Sequence, residues 1–373
     1  MDRVPPPATR PALPRRQHGV SLIEIMVAVV IGLLAVLVIY QVFAVSEGFK
    51  RNTTGASDAQ QTGLFSMFTL GIEIANAGNS ISLAAAELST CPNTGDPATT
   101  LRPIPVLIIP GKDDNTPDGF IVNYSTSRTL TIPVNFLAQS PANNQFVVQS
   151  PNGFAVGNRV IAVQQSTGKC TISTLVDRSP KMPPAEAPLA GGKVTVTTAT
   201  PAAADFMAIT DVDPSRLIDM GPAGSPQRVL YDVQKEVLRS TDLLTAGAVA
   251  SPLASNVINV KVQYGIDTSA PPDNILDTWV PATDAAWTSD AVMAGNLAKL
   301  TQIKAIRIGL IVRSEQYDRD VTAKTPWTLF DCPTHDNTCP GRLTGTLDAN
   351  WRYRTYETVI PLRNQLWNGP AAP

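Results

Sequence analysis

The chain has 373 residues, 16% of them charged, with 29 basic against 31 acidic side chains and a net charge of −2. That balance disfavours a surface built to capture nucleic-acid phosphate. Its two histidines, His18 and His335, leave a Ser-His-Asp or Cys-His site at most one base, and the sequence contains no G-x-S-x-G, H-E-x-x-H or phosphate-cradling P-loop. Neither an enzyme nor a cofactor is expected.

The chain opens on a basic leader carrying Arg3, Arg10, Arg15 and Arg16, followed by an almost wholly aliphatic run over residues 25–45 that only Gln41 interrupts. About 21 residues at 1.5 Å each span roughly 31 Å, the thickness of a bilayer's hydrocarbon core. One transmembrane helix is predicted. Only Lys50 and Arg51 follow it closely, so the positive-inside bias places the N-terminus in the cytoplasm and the bulk of the chain outside. An ordinary signal peptide or signal anchor is the competing reading, but its apolar region runs about 7 to 15 residues and ends at a small-residue site, and neither holds here.

Residues 17–24 read QHGVSLIE, which sets a lone carboxylate, Glu24, at the mouth of the apolar run. A charge there must be paired, neutralised or lifted to the interface. Arg15, Arg16, Gln17, His18 and Gly19, then Val20, Ser21, Leu22, Ile23 and Glu24, resemble the class III signal of type IV prepilins and of the type II secretion pseudopilins. The resemblance implies a prepilin peptidase that cuts between Gly19 and Val20 and methylates the new amino group of Val20. It implies too that Glu24, fifth in the mature chain, serves subunit assembly. Val20 departs from the phenylalanine most common there. Physically, cleavage creates a positive amine that a neighbouring subunit's glutamate can neutralise, and misplacement leaves both charges unpaired at several kcal/mol. The leader's four arginines and Asp2 make it plus 3, leaving minus 5 on the side chains of the mature chain.

No proline occurs between Val20 and Cys91, so a helix is predicted over residues 20–78, with its transmembrane part at about 25–45. Its second half is amphipathic. Leu64, Phe68, Ile72 and Ala75 recur at spacings of four, four and three, with Phe65 beside them, and this stripe is expected to pack on a sheet rather than form a seam for other pilin helices. Gly78 is the expected stop.

Residues 79–373 are long enough for one large domain or two smaller ones, and 32 prolines and 24 glycines across the chain punctuate its short apolar runs. Strands are predicted at 106–109, 120–124, 146–148, 159–163, 170–176, 193–198, 229–232, 236–239, 257–264, 305–312 and 353–361. Few helices are expected beyond residue 80. Residues 177–192 and 267–277 read as surface loops. Asp113, Asp114, Asn115, Asp118 and Gly119 superficially suggest a calcium loop, but Thr116 and Ser125 break the EF-hand register, so a solvated turn is expected. Lys304, Arg307 and Arg313 could form a basic patch; the plainer reading is the solvent face of a strand.

Four cysteines allow three pairings, and an exported location favours oxidation. The expected set is Cys332 with Cys339 and Cys91 with Cys170. A metal site on Cys332, His335 and Cys339 is disfavoured, because tetrahedral zinc wants four ligands and only three are local.

Residues 118–124 (DGFIVNY), 228–239 (RVLYDVQKEVLR), 257–267 (VINVKVQYGID), 305–314 (AIRIGLIVRS) and 353–364 (YRTYETVIPLRN) are similar, in sequence and order, to the strands of the PilW family of minor pilins. The resemblance implies an α+β, type IV pilin-like fold, in which a long N-terminal helix packs on an antiparallel β-rich domain. It further implies an inner-membrane subunit with a periplasmic domain that joins the initiating or tip complex of a type IV pilus and supports twitching motility and adhesion. Its partners would be minor pilins resembling PilV, PilX and FimU, the major pilin and a tip-associated adhesin. A type II secretion pseudopilin and an adhesin on an uncleaved anchor are the alternatives.

Overall fold

The computed structural model describes residues 19–91, 102–127, 132–140, 145–164, 168–179, 192–197, 215–245, 247–270, 273–319, 321–333 and 339–366. The chain divides into two compact units, residues 1–54 and 55–373. Helix α1 (Leu22–Asn76) begins in the first and ends in the second. Within the first unit nearly every side chain from Val20 to Phe49 is exposed.

In the second unit α1 buries Ala59, Gly63, Ser66, Leu70 and Ile74, spaced three or four apart on one face. The predicted packing stripe lies on the opposite face. Leu64, Phe65, Phe68 and Ile72 are 54%, 56%, 69% and 44% exposed, and Ala75 is exposed as well. The reason is close approach: a Cβ on Gly63 would fall 2.0 Å from the Tyr356 ring, and Tyr356 donates its hydroxyl to the Ala59 carbonyl at 3.3 Å. Small residues seat the helix, and Leu70 and Ile74 then reach the core. Gly78 ends the helical segment at φ +76°, donating its N–H to the Asn123 carbonyl at 2.7 Å.

A 3-10 turn (Ser82–Ala84) and α2 (Ala85–Leu88) follow, then β1 (Val106–Ile109) and β2 (Gly119–Tyr124). Six strands come next: β3 (Val134–Ser140), β4 (Gln145–Val148), β5 (Arg159–Gln164), β6 (Lys169–Ser179), β7 (Gly192–Thr197) and β8 (Ser215–Gly221). They close into an antiparallel barrel in the order β3-β4-β7-β6-β5-β8. Val148, Phe154, Val160, Ala162, Leu175 and Leu217 form its core. The alternate residues Ile161, Val163, Ile218 and Met220 face outward onto Ile81, Ala84 and Leu88, which is why β5 is apolar on both faces.

After the barrel come β9 (Gln227–Gln234), β10 (Val237–Asp242) and β11 (Ser251–Ser255), which complete a sheet ordered β1-β2-β9-β10-β11. A second antiparallel sheet is ordered β13-β12-β14-β17, from β12 (Val257–Ile266), β13 (Thr278–Pro281), β14 (Ile303–Arg313) and β17 (Tyr353–Pro361). Both sheets and the second half of α1 share one core, and the Tyr264 hydroxyl crosses it to accept the Ile108 N–H at 2.7 Å. A hairpin of β15 (Thr325–Leu329) and β16 (Leu343–Leu347) packs on Ile311.

One substantial helix was not expected. Helix α3 (Ser289–Gln302) starts at Thr288, whose Oγ1 accepts the Ala291 N–H, and it buries Val292, Met293 and Leu300. A single turn, α4 (Arg363–Leu366), closes the described chain. Strand β6 extends to Ser179, two residues beyond the start of the expected 177–192 loop, and residues 180–191 lie outside the described residues.

Candidate functional site

Two features stand out: the mouth of α1 and its uncovered apolar surface. Ser21 precedes the first helical turn, and its Oγ accepts the backbone N–H of Glu24 at 3.2 Å while its carbonyl accepts from Glu24 and Ile25. This is one half of a capping box, and it fixes Glu24 in the first turn, where a carboxylate complements the exposed N–H groups of the helix. Ser21 was not singled out from sequence, although the S-x-x-E spacing was there to read. Gly19 and Val20 precede the cap, with Val20 66% exposed and open space around Gly19 where a side chain would be. Arg15, Arg16, Gln17 and His18 lie outside the described residues.

Beyond the cap, α1 contains a window apolar enough and long enough to cross a bilayer, and none of it is buried. The second half adds the exposed Leu64, Phe65, Phe68 and Ile72. A soluble surface seldom carries so much contiguous apolar area unless something covers it.

The prokaryotic N-terminal methylation motif matches residues 14–40, spanning the leader's end, Gly19, Val20, Glu24 and most of the apolar run. Residues 218–364, from β8 to α4, match the family described as Type IV Pilus-assembly protein W. Together the two matches support a PilW-type minor pilin. Its N-terminal helix anchors it in a membrane. The family match takes in four of the five family-like strand segments and leaves 118–124 and β3 to β7 outside. Among solved structures, the pilin is similar to a type IV-like pilin from Thermus thermophilus at 15% identity and a TM-score of 0.25, covering 37% of this chain and 66% of that one, just under two thirds. No curated protein matched the chain.

The remaining candidate residues of this pilin fall into place structurally. Cys91 and Cys170 are bonded, with Cα atoms 5.4 Å apart, and join the residues just after α2 to β6. Cys332 and Cys339 are also bonded, so neither thiol is available to a metal; His335 lies outside the described residues. Among the described residues no three metal-ligating side chains cluster.

The acidic loop before β2 is a turn only in part. Asp113 accepts the Asn115 and Thr116 N–H groups as an exposed turn residue does, but Asp118 is buried and paired with Lys261 at 3.0 Å. Burial pushes the Asp118 carboxyl up, and Lys261 with the N–H groups of Gly111 and Val262 opposes that shift.

The three cations do not form a solvent-facing patch. Lys304 is buried 3.7 Å from Asp267, Arg313 pairs with Glu236, and Arg307 is buried between the Trp279 and Phe330 rings, 4.8 and 4.5 Å from their centroids. Lys304 and Arg307 sit inside the domain, whereas Arg313 is part-exposed at the end of β14.

Proposed function

We propose that this minor pilin enters the initiating or tip complex of a type IV pilus, cleaved after Gly19 and methylated at Val20. Released from lipid, α1 packs into a bundle with the helices of neighbouring subunits, and the Val20 amine of one subunit meets Glu24 of another. The observation that supports this most directly is the uncovered surface of α1 beneath a methylation motif: the helix is apolar on the face opposite its own domain, where only a membrane or other subunits can cover it. The domain lies in the periplasm before assembly. Partners are the prepilin peptidase, minor pilins resembling PilV, PilX and FimU, the major pilin and a tip-associated adhesin, with twitching and adhesion following from the fibre. The role is structural rather than enzymatic.

Intact mass of the membrane-extracted protein tests processing: residues 1–19 missing and one methyl group added is the expected result, and a retained leader refutes it. Glu24→Ala is expected to lower recovery of the subunit in sheared pili by roughly tenfold or more, since a buried amine then lacks its partner. Deletion of the gene is expected to abolish piliation and leave type II secretion running; the reverse pattern would assign the chain to secretion.

A further inference from the structure

Beside α1, the β9-β10 face of the first sheet holds a groove of about 330 Å³. Its floor is set by register: Val229 pairs with Asp242 and Tyr231 with Ser240, so these four side chains share one face. Glu73 of α1 forms one wall with Tyr124, and the turn after β10 forms the rim, where Val249 is 85% exposed.

Eight of the eleven lining side chains carry a polar group, two are carboxylates and none is basic. The Tyr124 hydroxyl donates to Glu73 Oε2 at 3.0 Å, and Tyr231, stacked on Phe120 at 5.3 Å, lies in the same lining. Burial, and then the Glu73 charge, push both phenols above their usual range, so Tyr124 stays a protonated donor that holds the carboxylate in place. Asp242 is held by the Leu244 N–H at 3.0 Å and by Thr245. Two oriented carboxylates and two phenol rings around a groove repel anions, offer little to an apolar group and suit a cation.

We propose that this groove is a recognition site for an alkylammonium or guanidinium group, brought by a lysine or arginine side chain of another protein or by a free amine. The inference goes beyond pilus assembly and does not depend on it.

The test is calorimetric titration of the full-length chain in detergent micelles with N-acetyl-lysine methylamide and N-acetyl-arginine methylamide, against the neutral N-acetyl-norleucine methylamide. The cationic probes are expected to bind saturably, more weakly as salt is raised, and roughly tenfold more weakly to the Glu73→Gln/Asp242→Asn double variant. Equal binding of the neutral probe, or unchanged binding by a folded double variant, would overturn the proposal. Should that variant not fold, Val249→Trp, which obstructs the mouth and leaves both carboxylates, decides: undiminished affinity there also overturns it. A photo-crosslinking residue in place of Val249 in cells then separates the sources, because a protein adduct marks a side chain and its absence, with the probes still binding, marks a free amine.

Discussion

Lys261 does inside this pilin what a bound cation does in a metal loop. Its ammonium donates to the Asp113 carbonyl at 2.9 Å, the Thr116 carbonyl at 2.7 Å and Asp118 Oδ1 at 3.0 Å, and Asn259 beside it donates to the Asp114 carbonyl. Removing one partner of a buried pair leaves the other charge uncompensated, so Lys261→Met should cost about 3–5 kcal/mol, read as a lowered denaturation midpoint of the solubilised chain. Adding Asp118→Asn to it is expected to restore part of that loss. The acids at 113–118 were legible as a cluster, but the residue that answers them lies 143 positions beyond Asp118 on another strand, and no local spacing reveals it. Ser21 is the opposite case: its role is local and follows from a three-residue interval. For Glu24, the sequence marked a charge in an unfavourable place, and position within the first helical turn is what the structure adds.

At the level of elements, α1 shows why the larger apolar residues were assigned to the wrong face. Size argued for Leu64, Phe68 and Ile72 in the core, yet a helix lies closest to a sheet where its residues are smallest, and Gly63 against Tyr356 sets that face. Two variants separate the faces. Gly63→Val is expected to destabilise the domain by about 1–3 kcal/mol through collision with Tyr356. Leu64→Ser with Phe68→Ser is expected to leave stability within about 1 kcal/mol, because those side chains are exposed on the domain, and to reduce recovery in sheared pili if the proposed bundle covers them. Melting curves and pilus preparations report the two outcomes. Strand β14, a near-continuous aliphatic run, and β17, rich in β-branched and tyrosine residues, were readable from sequence. Strand β11 reads SPLAS and β15 contains Pro326, weak patterns that acquire meaning only from the partner strand. Helix α3 escaped because Gly295 and several polar residues interrupt its apolar positions, and it is recognisable mainly by its cap at Thr288.

For the whole molecule, the barrel is the least legible part, since closure joins six strands in the order β3-β4-β7-β6-β5-β8 and depends on none of them singly. From sequence, residues 79–373 resolved no further than one large domain or two smaller ones. Tyr124 at the end of β2 and Gln227 at the start of β9 are paired neighbours, so the entire barrel stands where a hairpin turn would. Its covalent link back to the residues after α2, Cys91 to Cys170, closes 79 residues and should contribute roughly 4.5 kcal/mol by chain entropy. Cys91→Ser is therefore expected to speed amide exchange and protease cleavage in β5 and β6 while leaving β12 and β14 protected. That bond also decides how tension travels. A pull on the barrel through its two chain connections alone would load Tyr124 and Gln227 side by side and peel β2 from β9 one residue at a time, the weakest way to strain a sheet. The sulfur bridge offers a parallel route from β6 to the residues just after α2, so a load on the barrel can pass to the rest of the domain without running through the β2-β9 pairing.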